Sequence, residues 1–131
     1  MAAQVTETAQ ERDWAWTALA WLAGLAAAGS AIMALAHMGL QIPVISGLGP
    51  GGARSVPVAA LVFGISTLMF LLILFGMLMR RAWAWPVALV GNGFALIGAA
   101  NPFRGPVSAA AIAVTVAAIA ILLSPPGRTL R

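Results

Sequence analysis

The chain has 131 residues, of which 62% are hydrophobic and only 8% charged, and its mean hydropathy is +0.99. That balance excludes a water-soluble globular domain, whose helices would each need a polar face, and places the chain among integral membrane proteins. Net charge is +4, but the arginines stand singly or in pairs without a basic stripe, so the expected counter-charge is anionic lipid headgroups and not nucleic acid.

Four apolar runs, 14–38, 57–79, 82–100 and 106–123, predict four transmembrane helices. At helical rise they extend roughly 37, 34, 28 and 27 Å, against a hydrocarbon core of about 30 Å. Residues 1–13 are expected as a cytoplasmic tail. Within it, Thr8-Ala9-Gln10-Glu11 has capping-box spacing, and Glu11 and Asp13 suit the positive end of a helix dipole, so helix 1 is expected to begin ahead of the bilayer. Ala34-Leu35-Ala36 resembles a signal-peptidase site. The apolar run before it is longer than the ~7–15 residues of a signal peptide, so the segment from Trp14 is expected to be retained.

His37, the only histidine, closes the first run with Met33 one turn earlier on the same face. One histidine cannot supply bis-histidine ligation and a copper site needs more soft donors, so an interfacial histidine bonded to loop backbone or lipid is expected. The connection 39–56 is rich in Gly and Pro, and its Ile42, Val44, Ile45 and Leu48 are expected to rest on the bundle, dip into the interface or meet a partner. Gly47 to Gly52 is glycine-rich, but without strands around it this is loop and not a phosphate cradle.

Pro57 opens the second run, where the missing N–H costs nothing. Its body, "LVFGISTLMFLLILFGMLM", is bulky and should face lipid or another subunit, with Met69, Met77 and Met79 as gap-fillers. The turn at Arg80-Arg81 is so short that helices 2 and 3 must be antiparallel neighbours. Helix 3 carries Gly91-Asn92-Gly93 at its middle. A buried amide needs partners and glycines admit a close neighbour, so Asn92 is expected to hydrogen-bond across a helix interface, with lining of a permeation path as the alternative. Asn101-Pro102 ends helix 3, Pro106 opens helix 4, and Ser124-Pro125-Pro126-Gly127 ends it ahead of a cytoplasmic tail at 124–131. Small residues at four-residue spacing in helices 1, 3 and 4 allow close packing, while Ser30, Ser66, Thr67 and Thr115 can bond carbonyls one turn back.

An even number of spans puts Arg12, Arg80, Arg81, Arg128 and Arg131 on one side and leaves Arg54 and Arg104 opposite, which predicts both termini in the cytoplasm. Trp14, Trp16, Trp21, Trp83 and Trp85 then fall in or near the cytoplasmic leaflet as interface anchors, with Arg80 and Arg81 beside them. Arg12-Asp13-Trp14-Ala15-Trp16 matches Arg81-Ala82-Trp83-Ala84-Trp85, and the openings of helices 2 and 4, Arg54 to Ala60 and Arg104 to Ala110, also match. Either the chain is a duplicated helical hairpin with a pseudo-two-fold axis along the membrane normal, or the same interface has shaped both pairs independently.

No catalytic constellation is visible. Cysteine is absent, which excludes disulfides, thiolate metal sites and cysteine nucleophiles. All three carboxylates, Glu7, Glu11 and Asp13, precede the bilayer, so no acid is available in the spans to relay a proton or hold a cation. Small multidrug exporters differ on this point, because they depend on a glutamate in their first span.

The stretch "RRAWAWPVALV" and the closing "LLSPPGRTLR", within residues 76–131, resemble small four-helix bacterial integral membrane proteins of high-GC genomes, a group without assigned activity. The resemblance implies a compact hairpin with basic cytoplasmic ends and carries no functional residues. The expected fold is an all-α, four-helix integral membrane bundle of the bacterial inner membrane, without cofactors. The expected role is a non-catalytic accessory or assembly subunit whose partners are lipid and other membrane subunits or a second copy. The alternatives are a small oligomeric transporter or channel for a neutral or apolar solute, with Asn92, Gly91 and Gly93 on the path, and a lipid- or ligand-binding protein using His37 and Met33.

Overall fold

The computed structural model describes residues 2–40, 43 and 55–131. The expected contacts of Ile42, Val44, Ile45 and Leu48, the glycine-rich stretch 47–52 and Arg54 lie outside the described residues. Among the described residues the chain is all-α, with α1 (Ala2–His37), α2 (Pro57–Leu78), α3 (Ala84–Ala100), α4 (Pro106–Leu123) and the short α5 (Pro125–Arg128). Neighbours in sequence pack as neighbours in space, α1 on α2, α2 on α3 and α3 on α4. Contact between α1 and α4 closes the ring, and α5 folds across both of them.

Helix α1 starts well before the capping-box spacing at Thr8 to Glu11. Nothing interrupts it there, since residues 2–13 contain neither Gly nor Pro and include the strong helix formers Ala, Gln, Glu and Arg. The stretch expected as a tail is therefore helical from Ala2. Its apolar part is Ala9–His37, 29 residues.

Helix α2 begins at Pro57 as expected and ends in a Schellman motif. The N–H of Arg81 donates to Gly76 O at 2.9 Å and that of Arg80 to Met77 O at 3.1 Å, with Arg80 in the left-handed region at φ 52°. Helix α3 begins two residues later than expected because the turn consumes Ala82 and Trp83. Pro86 has no N–H to offer the Ala82 carbonyl, which instead accepts from Trp85 N at 3.2 Å in a tighter i→i+3 turn.

Among the described residues, three helices can by length and composition cross a membrane: Ala9–His37, Pro57–Leu78 and Pro106–Leu123. Helix α3, with 17 residues, is apolar but shorter. The chain is thus a helical membrane protein with three long apolar helices and a fourth of about 26 Å.

The core lies toward the end of the bundle that holds the Arg80-Arg81 turn. Ala15, Trp16, Leu19, Ala20, Ala23 and Ala27 form one stripe of α1 and meet Phe70, Ile73 and Met77 of α2, Ala84 and Ala88 of α3, and Ala118 and Leu122 of α4. The helices come close because one partner at each contact is small. At Gly76 an added Cβ would sit 2.7 Å from both Ala84 Cβ and Trp83 Cη2, so only glycine fits where α2 crosses the start of α3.

Candidate functional site

Helix α3 aims Ala84, Ala88, Gly91 and Asn92 inward, one stripe at helical spacing. Asn92 is 4% exposed, and its amide nitrogen donates to Ala88 O at 2.8 Å, one turn back in the same helix. The bond expected across an interface is thus made within α3. Gly91 has the expected packing role, since a Cβ there would lie 3.1 Å from Ile73 Cδ1 and from Met69 Sδ. Gly93 does not share it; its Cβ direction meets nothing within 4 Å. The three residues are together in sequence, but only Gly91 and Asn92 face the bundle.

His37 is buried, with Met33 also buried one turn before it. Its Nδ1 lies 2.7 Å from the Met33 carbonyl, and its ring lies 5.2 Å from the ring of Phe63 on α2, inclined by 37°. The imidazole therefore bonds its own helix and stacks on the next, and the methionine contributes its carbonyl to that bond. The His37 carbonyl in turn accepts from Val56 N at 2.8 Å, which holds the start of α2 against the end of α1. Among the described residues no three His, Asp or Glu side chains converge as metal ligands would.

At the opposite end the five tryptophans divide. Trp14, Trp21 and Trp83 are exposed, Trp16 is buried in the core, and Trp85 is half-buried. Each W-x-W pair sends its first indole outward and its second inward, as the angle of about 200° between i and i+2 dictates.

Trp85 donates its indole N–H to Leu122 O at 3.1 Å, and that carbonyl needs a donor for a specific reason. In a continuing helix Leu122 O would bond the N–H of residue 126, which is proline, and Ile121 O that of residue 125, also proline. Ile121 O accepts from the Ser124 hydroxyl at 2.6 Å instead. Ser124 Oγ accepts from Gly127 N at 3.3 Å and so caps α5. The segment 124–131 is consequently a folded hook: Leu130 is buried, and the Arg131 guanidinium lies 5.3 Å from the centroid of the Trp85 ring.

Arg80 and Arg81 are exposed at the α2–α3 turn. Arg80 makes the ion pair among the described residues, from Nη1 to Asp13 Oδ1 at 2.6 Å, with both side chains about half exposed. It ties the turn to α1. Between α1 and α2, below this pair, runs a groove of about 440 Å3 whose lining includes Trp21, Gly24, Leu78 and Arg80.

Asp13 as the partner of Arg80, Leu122 as the acceptor for Trp85 and the groove beside Gly24 were not expected from the sequence. The Pro125-Pro126 pair was the available signal for the second, because two successive prolines orphan two carbonyls. Comparison with protein-family models, curated proteins and solved structures finds no match to this chain.

Proposed function

We propose that this protein is a non-catalytic accessory or assembly subunit of a larger complex in the bacterial inner membrane, with four spans and both termini cytoplasmic. One observation carries the reading: the interior is self-sufficient. Among the described residues every fully enclosed side-chain nitrogen or oxygen has a hydrogen-bond partner. Among the described residues the buried polar side chains are His37, Asn92, Ser108 and Thr115, with no buried arginine or carboxylate. Side chains so engaged have little left for chemistry, which leaves the outer surface for interaction.

That surface is bulky and apolar on α2, where Val58, Leu61, Ile65, Leu68, Leu72 and Phe75 are all more than half exposed. In a bilayer such a face meets lipid or another subunit. Four crossings fit the placement of the start of the α1 apolar run, the Arg80-Arg81 turn and the C-terminal hook at one end of the bundle. A path through a single copy has less support, because Asn92 bonds its own helix and Gly91 is covered by Met69 and Ile73.

Purification in mild detergent tests the proposal. A stoichiometric membrane partner or a defined oligomer is the expected result, and a strictly monomeric chain counts against it. Asn92→Leu sharpens the test, since the Ala88 carbonyl keeps its backbone bond when the amide is removed. The variant should fold with nearly unchanged thermal midpoint, so a partner lost with it would show that Asn92 bears on assembly beyond its bond within α3. Solute flux in liposomes, sensitive to this substitution, would favour a channel between copies.

A further inference from the structure

The groove between α1 and α2 combines an apolar floor with an arginine in its lining. Its floor is apolar and buried: Ala20 is 6% exposed and Met77 1%. Its rims stand far out, with Trp21 at 72% on α1 and Leu78 at 66% on α2. Arg80 closes one end. Toward the other, Gly24 widens the slot, since a Cβ built there meets nothing within 4 Å. The result is a channel open to the side, apolar but for Thr17, with the Arg80–Asp13 pair and Arg81 at one tip. At about 440 Å3 it falls within the roughly 300–1,000 Å3 of small-molecule clefts.

We infer that this groove is a binding site for an anionic phospholipid, with one acyl chain lying along Gly24 and Leu78 and the phosphate at Arg80. The charge pattern selects this occupant. A soluble anion has no use for the apolar floor, and a zwitterionic lipid brings its own headgroup cation to a tip that already holds Arg80 and Arg81. Arg80 is held in place by Asp13 at 2.6 Å through one of its five N–H donors, so a guanidinium already oriented keeps donors for phosphate oxygens. Arg81, next in the chain and exposed, keeps the tip cationic beside Asp13. Trp21 supplies the amphipathic ring that suits the level of the glycerol backbone. The inference rests on the membrane reading and not on the subunit reading, so either can fail alone.

The test reconstitutes the full chain in phosphatidylcholine nanodiscs carrying a minor fraction of brominated lipid, whose acyl chains quench nearby indole fluorescence. Brominated phosphatidylglycerol should quench more than brominated phosphatidylcholine at equal fraction, by an apparent preference of about fivefold, the weight of one basic side chain at a membrane surface. Arg80→Gln should remove most of that preference. Gly24→Leu, which fills the slot from a position with free space around it, should abolish it while leaving the thermal midpoint in place. Equal quenching by the two lipids in the native chain, or a preference that survives Gly24→Leu, would overturn the site. A lone monomer that still shows the preference would instead sink only the subunit proposal.

Discussion

At the scale of single residues, the stability of the basic end turns on carbonyls that prolines have orphaned. Leu122 O has no backbone donor at residue 126, and the Trp85 indole takes that place at 3.1 Å. Trp85→Phe keeps the ring near Arg131 but removes the donor. The change should destabilise the protein by ~1–3 kcal/mol, the cost of one buried unsatisfied acceptor. A lowered thermal midpoint in detergent measures it, and an unchanged midpoint would mean that another group or water serves the carbonyl. The hook needs Gly127 for a different reason: a Cβ there would lie 1.8 Å from the Ile121 carbonyl oxygen. Of these facts the sequence displayed the breakers and hid the contacts. Pro57 and Pro106 are legible because their effect is local, whereas the inward turn of Trp16 and Trp85 is not. A two-residue spacing says that paired indoles point apart without saying which one meets the core.

At the scale of elements, helix starts and stops set by Pro, Gly and apolar runs were readable to within two residues in α2, α3 and α4. The start of α1 was not, because a capping-box spacing does not end a helix that good helix formers continue upstream. The matched openings of helices 1 and 3 can be compared with burial along the two helices. At an offset of 69 residues, Ala15 and Ala84, Leu19 and Ala88, and Ala23 and Asn92 are buried in both helices, whereas Trp16, Ala20 and Ala27 are buried and their counterparts Trp85, Leu89 and Leu96 only half-buried. Burial matched at three of the six stripe positions of α1 is what two helices packed by four-residue spacing share, so it leaves duplication and convergence equally open.

The α2–α3 turn offers the sharper experiment. Arg80 occupies the left-handed position at φ 52°, where a non-glycine residue costs roughly 1–2 kcal/mol, while an exposed ion pair of the kind it makes with Asp13 contributes about 0.2–1 kcal/mol. Strain relief should therefore outweigh the lost pair in Arg80→Gly. Arg80→Ala keeps the strain and loses the pair. The expected order of thermal midpoints is Gly above Arg above Ala, and an Arg80→Gly variant less stable than the native chain would show that the guanidinium does more at this turn than the pair accounts for. That outcome would also strengthen the case for a phosphate there.

At the scale of the molecule, the arrangement of charge and length decides how the chain sits. Helix α3 spans about 26 Å by its 17 residues, a little short of a hydrocarbon core of about 30 Å, so it would cross with local thinning or with Trp83 and Asn101 at its ends in the interface. If it crosses, the start of the α1 apolar run, the Arg80-Arg81 turn and the hook share one side. Under the proposed orientation, which rests on the arginine imbalance, that side is the cytoplasm. The absence of cysteine from the sequence makes this directly measurable, because any thiol introduced is unique. Thr129 and Phe103 are both exposed at opposite ends of α4, so Thr129→Cys and Phe103→Cys report the two faces without entering the core. In intact spheroplasts a membrane-impermeant maleimide should label the cysteine at 103 and reach the one at 129 only after permeabilisation. Labelling of position 129 from outside would invert the orientation, and labelling of both would mean that α4 does not cross. Either result would remove the anionic cytoplasmic leaflet from the side on which Arg80 and its groove have been placed.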